Sequence, residues 1–239
     1  MQANKNMSIT PTNWYNISAT KDEGGLTVGR DRKYGQSNYG LFYMLEREMG
    51  LGMPWSAFFP TLLSEQKVNV NGHNTLVVGI NDGQEYECIA TQTSQIIGFD
   101  IAHTALSNGT SQHTHTHPNM HFFQASAASL PVTGPYDSAF CLRTFQVLKT
   151  EEQSSLLGEL RRTVKGQIVM SLPAGYLDIN SGQIIHGNIV SGAGPTAQVD
   201  AEKPLRDAHA LRDRLESMGC TNIRIVETPI EIFLFAESN

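Results

Sequence analysis

A short apolar run that ends in closely spaced glycines constrains this chain more than any other feature. The run spans Thr75 to Gly83, where Leu-Val-Val gives way to Gly-Ile-Asn-Asp-Gly. This pattern is typical of a buried strand that delivers the chain to a ligand. A second apolar stretch ends at Asp100, where a carboxylate can accept hydrogen bonds from both hydroxyls of a ribose. Together the two strand ends predict a site for a nucleotide-sized ligand.

From about residue 67 short apolar segments alternate with helical ones, which predicts a parallel sheet with helices on both faces. The predicted strands are 76–79, 96–100, 120–125, 138–142 and 167–171. The predicted helices are 84–90, 102–107, 151–164 and 203–218. The last apolar segments, 223–227 and 232–236, are too close together for a parallel crossover. They predict an antiparallel hairpin.

Residues 1–66 differ in composition from the rest of the chain. They predict an N-terminal helical cap or lid over the active site, with residues 67–239 as the main domain. The segment 34–40 places aromatic and amide residues between glycines, which suits a loop that closes on a ligand. An arm packed on the core is the alternative. The segment 54–60 is apolar and bracketed by prolines, so we expect it to pack as a wedge, with ligand stacking as the other possibility.

Composition limits the partners that the chain can have. The net charge is −6 and the longest basic run is Arg30 to Lys33, so nothing indicates a nucleic-acid surface. The first residues lack an apolar signal core, and no stretch is long enough to span a membrane. We therefore expect a soluble, cytoplasmic protein. Its three widely spaced cysteines show no metal or redox spacing and are expected to be reduced and buried.

The order of these elements resembles the class I S-adenosylmethionine-dependent methyltransferases. Four stretches carry the resemblance, and they cover roughly residues 70 to 239. They are the glycine turn after residue 77, the acidic end of strand two at Asp100, the segment Ala125 to Pro131, and the Tyr136-Asp137 pair that opens strand four. The resemblance implies a Rossmann-like α/β fold, with a seven-stranded sheet whose last strand is antiparallel. It also implies S-adenosylmethionine as cofactor.

The resemblance further implies which residues contact that cofactor. Gly79, Asn81 and Gly83 are expected along its methionine part and Asp100 at its ribose. The remaining candidates come from later strand ends and from the cap: Ile101, Ser126, Ala127, Leu142, Arg143, Tyr34 and Tyr39.

Three positions depart from the family pattern. Val77 stands where many relatives have an acid that braces the methionine amino group, so that charge must come from elsewhere or be missing. Asn81 replaces the middle glycine, and Asn is among the residues that accept a left-handed backbone. Ser126 replaces the Asp that usually meets the adenine amino group, and its hydroxyl can accept that bond without charge assistance.

The acceptor is expected near the carboxyl ends of strands four and five, where open α/β sheets bind ligands. Arg143, Tyr176 and His186 are the candidate catalytic residues. Arg143 suits a carboxylate of the substrate or cofactor, the alternative being an ion pair with an acid of the cap. Tyr176 would hydrogen-bond the acceptor or pack structurally. His186, in an insertion over residues 172–200, is a possible base for a hydroxyl acceptor or a surface residue of a small ribbon.

A histidine run, His113, His115 and His117 followed by His121, stands out in composition. In an extended segment the first three would share one face, and a His-x-His pair can serve a tetrahedral metal. The run precedes strand three and has no nearby cysteine or patterned carboxylate. We therefore expect a solvated loop and no physiological metal.

The function that follows is methyl transfer to a small molecule or peptide, with an oxygen acceptor preferred and natural-product or other small-molecule modification as the setting. One alternative is an accessory protein that binds the cofactor without catalysis, motivated by Val77, Asn81 and Ser126. Another is an enzyme that uses the bound sulfonium electrostatically in a rearrangement or elimination. The oligomeric state is open.

Overall fold

The computed structural model describes residues 47, 48, 50–178, 183–191 and 198–238, with the backbone alone for 176–178, 183, 188–191 and 198. Tyr34 and Tyr39, with most of the predicted cap, lie outside the described residues. Within the described part, no helix is both long enough and apolar enough to cross a membrane.

A seven-stranded sheet forms the centre of the molecule, in the order β10-β11-β5-β4-β1-β2-β3. Its strands are β1 (Asn74–Val78), β2 (Gln95–Asp100), β3 (Met120–Gln124), β4 (Tyr136–Leu142), β5 (Val164–Pro173), β10 (Thr221–Glu227) and β11 (Glu231–Glu237). The first five are parallel to one another. β11 runs antiparallel to both β5 and β10. The predicted fold and its terminal hairpin are confirmed.

Alternate residues of the strands pack against helices on opposite faces, as strand geometry requires. Leu76 and Val78 face a cluster that contains Leu156 and Leu211. Val77 faces the other cluster, which contains Phe59. The helices are α1 (Trp55–Glu65), α2 (Glu87–Ala90), α3 (His103–His113), α4 (Thr150–Thr163) and α5 (Lys203–Ser217), with short 3-10 turns at Gln84–Tyr86 and Phe145–Val147.

The proline-bracketed segment forms most of helix α1. Trp55 and Phe59 are fully buried and stack on each other at 4.7 Å between ring centroids. Trp55 also stacks on Phe233 of β11 at 6.3 Å, so the helix packs against the face of the sheet. The expectation of core packing is confirmed, but Pro60 lies inside the helix instead of ending it.

Helix α3 is longer than predicted and changes the interpretation of the histidine run. It continues past Ser107 to His113, because Leu106, Gly109 and His113 are buried at helical spacing. The Thr110 hydroxyl bonds the Leu106 carbonyl at 2.8 Å, so it does not compete with the helix for a turn. The prediction of a solvated extended loop is therefore wrong for His113, although His115 and His121 are exposed.

Two small ribbons occupy the segment between β5 and α5. β6 (Gly175–Asp178) pairs antiparallel with β7 (Gln183–His186), and β8 (Asn188–Ser191) with β9 (Gln198–Asp200). The first ribbon continues from the carboxyl end of β5, where Ala174 N donates to Ile230 O at 2.9 Å. It therefore projects from the edge of the sheet where the predicted site lies.

The cysteines are free thiols set apart from one another. Cys141 and Cys220 are buried, whereas Cys88 is half-buried. Burial raises the pKa of the Cys88 and Cys141 thiols to about 12. Neither is a thiolate at neutral pH, so neither is a nucleophile there.

Candidate active site

A cleft lies at the carboxyl ends of β1, β2, β3 and β4 and, with the solvent at its mouth included, has a volume of about 900 Å³. This position is where open α/β sheets bind ligands. Eight residues named from the sequence line it: Gly79, Asn81, Asp100, Ile101, Ser126, Ala127, Leu142 and Arg143. The structure thus brings most of the predicted cofactor contacts into one cavity.

The turn after β1 approaches the turn after β4 closely. Gly79 has φ +79°, and a Cβ built there would lie 1.9 Å from Thr144 Oγ1. Its amide donates to Phe99 O on β2 at 2.7 Å. Only glycine meets both the conformation and the lack of space, so this turn leaves the backbone open to the cleft.

Asp100 joins the turns that follow β1 and β2. Its Oδ2 accepts the Asn81 amide at 2.9 Å, and its Oδ1 accepts the Ala102 amide at 2.9 Å. Asn81 has φ +54°, the left-handed conformation expected from the sequence. A carboxylate oxygen can accept more than one hydrogen bond. Asp100 can therefore hold the turn and also accept from a ribose.

Gly83 is placed differently from the sequence prediction. It is buried, and a Cβ there would lie 2.8 Å from the Phe122 ring of β3 and 2.9 Å from Met120. It is not among the residues that line the cleft. Close packing against β3, together with φ +84°, explains the glycine at this position.

Val77 is fully buried in the apolar cluster beneath the cleft, so this position supplies no charge. Glu85, in the 3-10 turn after β1, supplies a carboxylate at the cleft instead. Burial raises the pKa of Glu85, while Arg47 opposes that shift. Its Oε1 lies 2.5 Å from Arg47 Nη1. Glu85 is not predicted from the sequence, because it lies outside the four stretches that carry the family resemblance.

A buried cluster of charges lies behind this part of the cleft. Arg47 and Glu231 are both 0% exposed and form a two-pronged pair, with both N···O distances 2.9 Å. The Ser171 hydroxyl also donates to Glu231. Burial raises the pKa of Glu231, but Arg47 and Arg143 outweigh it and hold the pKa below the ordinary value. Glu231 is therefore an anion between two cations.

Arg143 directs its guanidinium toward the terminal hairpin. Nη2 donates to Ile230 O at 3.0 Å, and Nε lies 3.4 Å from Glu231 Oε2. Its amide donates to Ser171 Oγ at 3.0 Å, and its φ is +48°. Arg143 is therefore in an ion pair, which is the alternative that the sequence left open. Its partner is Glu231 of β11 and not an acid of the cap.

The other two candidate catalytic residues lie on the first ribbon. His186 is exposed at the end of β7, and its backbone pairs with Gly175. Tyr176 is in β6, where only the backbone is described. Among residues whose side chains the structure describes, His186 is not part of the cleft lining. Both nevertheless stand beyond the carboxyl end of β5, on the side of the sheet where the acceptor is expected.

Several cleft residues were not named as candidates from the sequence. Thr144, Val147, Leu148 and Glu152 come from the connection between β4 and α4, and Val78, Phe99 and Ala125 from strand ends. The Glu152 carboxylate also accepts the Lys149 amide at 2.9 Å, which caps α4. The lining residues at strand ends can be predicted from the order of the strands in the sheet. Those in the loop after β4 cannot, because their positions depend on how the 3-10 turn at Phe145–Val147 folds.

The family model described as a methyltransferase domain matches residues 76–167, which span β1 to β5. This core is a class I S-adenosylmethionine-dependent methyltransferase domain. No curated protein matches the chain in sequence.

Solved structures share the fold of this methyltransferase at low sequence identity. A SAM-dependent methyltransferase from Aquifex aeolicus has a TM-score of 0.59 at 15% identity, over 88% of this chain and 97% of its own. Magnesium protoporphyrin IX methyltransferase from Synechocystis, with bound SAH, has a TM-score of 0.53 at 16% identity, over 95% of this chain and 94% of its own. An S-adenosylmethionine-dependent methyltransferase from Clostridium acetobutylicum has a TM-score of 0.55 at 10% identity, over 77% of this chain and 91% of its own. These likenesses show the fold alone.

The cleft of the methyltransferase fits the cofactor of its family. The crowded Gly79 turn exposes backbone, Asp100 offers carboxylate oxygens, and apolar side chains of Ile101 and Leu148 line the walls. Trp55 and Phe58 of helix α1 are not among the described residues that line the cleft, so they do not fill it. Trp55 instead packs on Phe59 and donates to Glu85 O at 2.8 Å.

Proposed function

We propose that this methyltransferase transfers a methyl group from S-adenosylmethionine to an oxygen of a small molecule or peptide. The observation that carries the proposal is the position of the first ribbon. It rises from the carboxyl end of β5 beside the cleft and carries Tyr176 and His186, groups able to bind or deprotonate a hydroxyl.

Residues of the cleft would hold the cofactor in a fixed orientation. Asp100 would accept from the ribose hydroxyls, and the Ser126 hydroxyl would accept from the adenine amino group. Ser126 is exposed, and its Oγ accepts the Ala128 amide at 3.2 Å, so one lone pair remains for the ligand. The apolar side chains of Ile101, Ala127 and Leu148 would enclose the base.

Glu85 would take the part of the acid that is missing at Val77. Its carboxylate lines the cleft next to the glycine turn, where the methionine ammonium is expected. A hydrogen bond from an ammonium to a carboxylate is among the strong ones. Arg47 favours the ionised form of Glu85 and so opposes the rise in its pKa that burial causes.

The bound sulfonium supplies an activated methyl group, so the protein has mainly to align the acceptor with it. Alignment alone accounts for about 7–11 kcal/mol in well-oriented reactions. His186 would receive the proton of a hydroxyl acceptor, whereas a carboxylate acceptor would need no base. Arg143, fixed by Ile230 and Glu231, would shape the floor of the cleft.

The proposal is tested in two steps with the full chain. Calorimetry should show saturable binding of S-adenosylhomocysteine at micromolar to millimolar concentration, and no binding would overturn the cofactor site. Incubation with methyl-labelled S-adenosylmethionine and a panel of phenols, alcohols, carboxylic acids and amines should then label an oxygen acceptor. Label on nitrogen or carbon products alone would overturn the oxygen preference and leave methyl transfer intact.

A further inference from the structure

His113 is held in a single orientation although it lies outside the cleft. Its side chain is 1% exposed, and its ring stacks on Phe122 at 5.8 Å with 15° between the planes. Nε2 lies 2.9 Å from Asp82 O, in the turn between Asn81 and Gly83. A backbone carbonyl can only accept, so Nε2 carries the proton in this contact.

With Nε2 protonated, Nδ1 of a neutral imidazole presents a lone pair. Nδ1 is buried, makes no hydrogen bond, and lies 3.3 Å from Glu87 Oε1. Two lone pairs would then face each other. The opposite tautomer moves the same conflict to Asp82 O. A metal ion between Nδ1 and the Glu87 carboxylate would give both groups a partner.

His117 adds a third ligand to this pair. It follows His113 by one helical turn, with its amide bonded to His113 O at 2.8 Å and the two rings 5.9 Å apart. One ligand atom each from Glu87, His113 and His117 lie within 4.8 Å of one another. Bonds of about 2.0–2.2 Å to one zinc ion need a somewhat tighter set. Glu87 is exposed and His117 half-buried, so both side chains have room to close.

We propose that Glu87, His113 and His117 form a zinc site that braces the cofactor turn from behind. Two imidazoles and a carboxylate are ligands that zinc uses, and water completes the tetrahedron. The Nε2–H bond of His113 to a backbone carbonyl is the outer contact that metal-binding histidines usually make. The proposal departs from the sequence expectation that the histidine run binds no metal.

The site has a structural role in this proposal. Zinc at Nδ1 fixes the ring, and the ring fixes Asp82 O next to Asn81, whose amide bonds Asp100. Metal binding should therefore raise thermal stability and tighten cofactor binding without contact between metal and cofactor.

The test uses the full chain without an affinity tag, freed of metal with a chelator and titrated with zinc against a chromophoric competitor. We expect one zinc per chain in the wild type and in His115→Ala, an exposed histidine of the same turn outside the ligand set. His117→Ala and Glu87→Gln should each bind zinc at least about tenfold more weakly. Both replace side chains that are not buried, so folding is expected to persist and is checked by circular dichroism.

Two further results would overturn the proposal. Equal loss of affinity in His115→Ala and His117→Ala would indicate adventitious binding by exposed histidines. Absence of zinc binding by the wild type would also overturn the site. Zinc should also raise the melting temperature of the wild type and not that of His117→Ala, a readout that does not depend on methyl transfer.

Discussion

Arg47 and Glu231 form a fully buried, two-pronged ion pair between residues 184 positions apart in the chain. Removing one partner of such a pair leaves an uncompensated charge in the interior, which costs about 3–5 kcal/mol. We expect Arg47→Met to lower the free energy of unfolding by that amount in urea denaturation. Arg212→Met, which removes an exposed arginine paired with Asp213, should cost less than about 1 kcal/mol. Similar losses in both variants would contradict the role of the buried pair.

The stability that Glu231 provides should depend on pH. Its folded-state pKa is lowered, because Arg47 and Arg143 outweigh the effect of burial. A lowered pKa gives stability that is present above the ordinary glutamate value of 4.5 and is lost as the pH falls below it. The difference in unfolding free energy between the wild type and Glu231→Gln should therefore shrink between pH 5 and about pH 3. A constant difference over that range would contradict the ion pair.

Asp100 is expected to control cofactor affinity. Asp100→Asn removes the charge that accepts the Asn81 amide and that we propose to accept the ribose hydroxyls. Hydrogen bonds to charged groups are worth about 1.5–3 kcal/mol. Binding of S-adenosylhomocysteine should weaken by at least about tenfold in calorimetry. Asp137→Asn is the matched control, because Asp137 Oδ2 also accepts a backbone amide, from Asn74 at 2.9 Å, away from the cleft. An equal loss in both variants would point to general destabilisation.

Glu85 should make cofactor binding sensitive to pH. Burial raises its pKa above the ordinary value of 4.5 despite the opposing effect of Arg47. If the ionised carboxylate binds the methionine ammonium as proposed, affinity should fall as the pH drops through that raised pKa. In Glu85→Gln the affinity should be lower by about 10–100-fold at neutral pH. Its pH dependence in the acid range should also vanish. A pH profile unchanged by the substitution would place the ammonium elsewhere.

The Gly79 turn should tolerate no side chain. In Gly79→Ala the Cβ meets Thr144, so the turn or β4 must shift and cofactor binding should be lost. Gly219→Ala separates the steric clash from the backbone strain. Gly219 also has a positive φ, +90°, but nothing lies within 4 Å of the added Cβ. That control should cost about 1 kcal/mol from backbone strain and leave binding unchanged. Binding by Gly79→Ala at wild-type strength would show that the close approach is dispensable.

The strands and the terminal hairpin could be predicted because their signals are local. Apolar runs bounded by turn residues predict β1 to β5. The connection between β10 and β11 is too short for a parallel crossover, so it predicts that the last strand is antiparallel. The predicted helix over 102–107 ends before α3 does, because the rest of α3 contains serine, asparagine and glycine, which have low helix propensity. The spacing of Leu106, Gly109 and His113 was the signal that could have extended it.

The charges around the cleft could not be predicted in the same way. Arg47 and Glu231 meet only because β11 runs antiparallel to β5, which places the first residue of β11 beside Pro173. Glu85 reaches the cleft through a 3-10 turn with no sequence signature. Such pairings depend on long-range packing, and no local pattern in one sequence encodes them.

The reversed last strand also sets an order of events during synthesis. Residue 231 is made long after Arg47 and Arg143, and the anion that both of them surround is absent until then. A nascent chain that has completed β1 to β5 therefore holds the glycine turn, Asp100 and the Arg47–Glu85 pair, but it lacks the carboxylate that Arg47 and Arg143 share. The cleft should become competent for its cofactor only when the final hairpin docks, so a growing chain would not sequester cofactor on the ribosome.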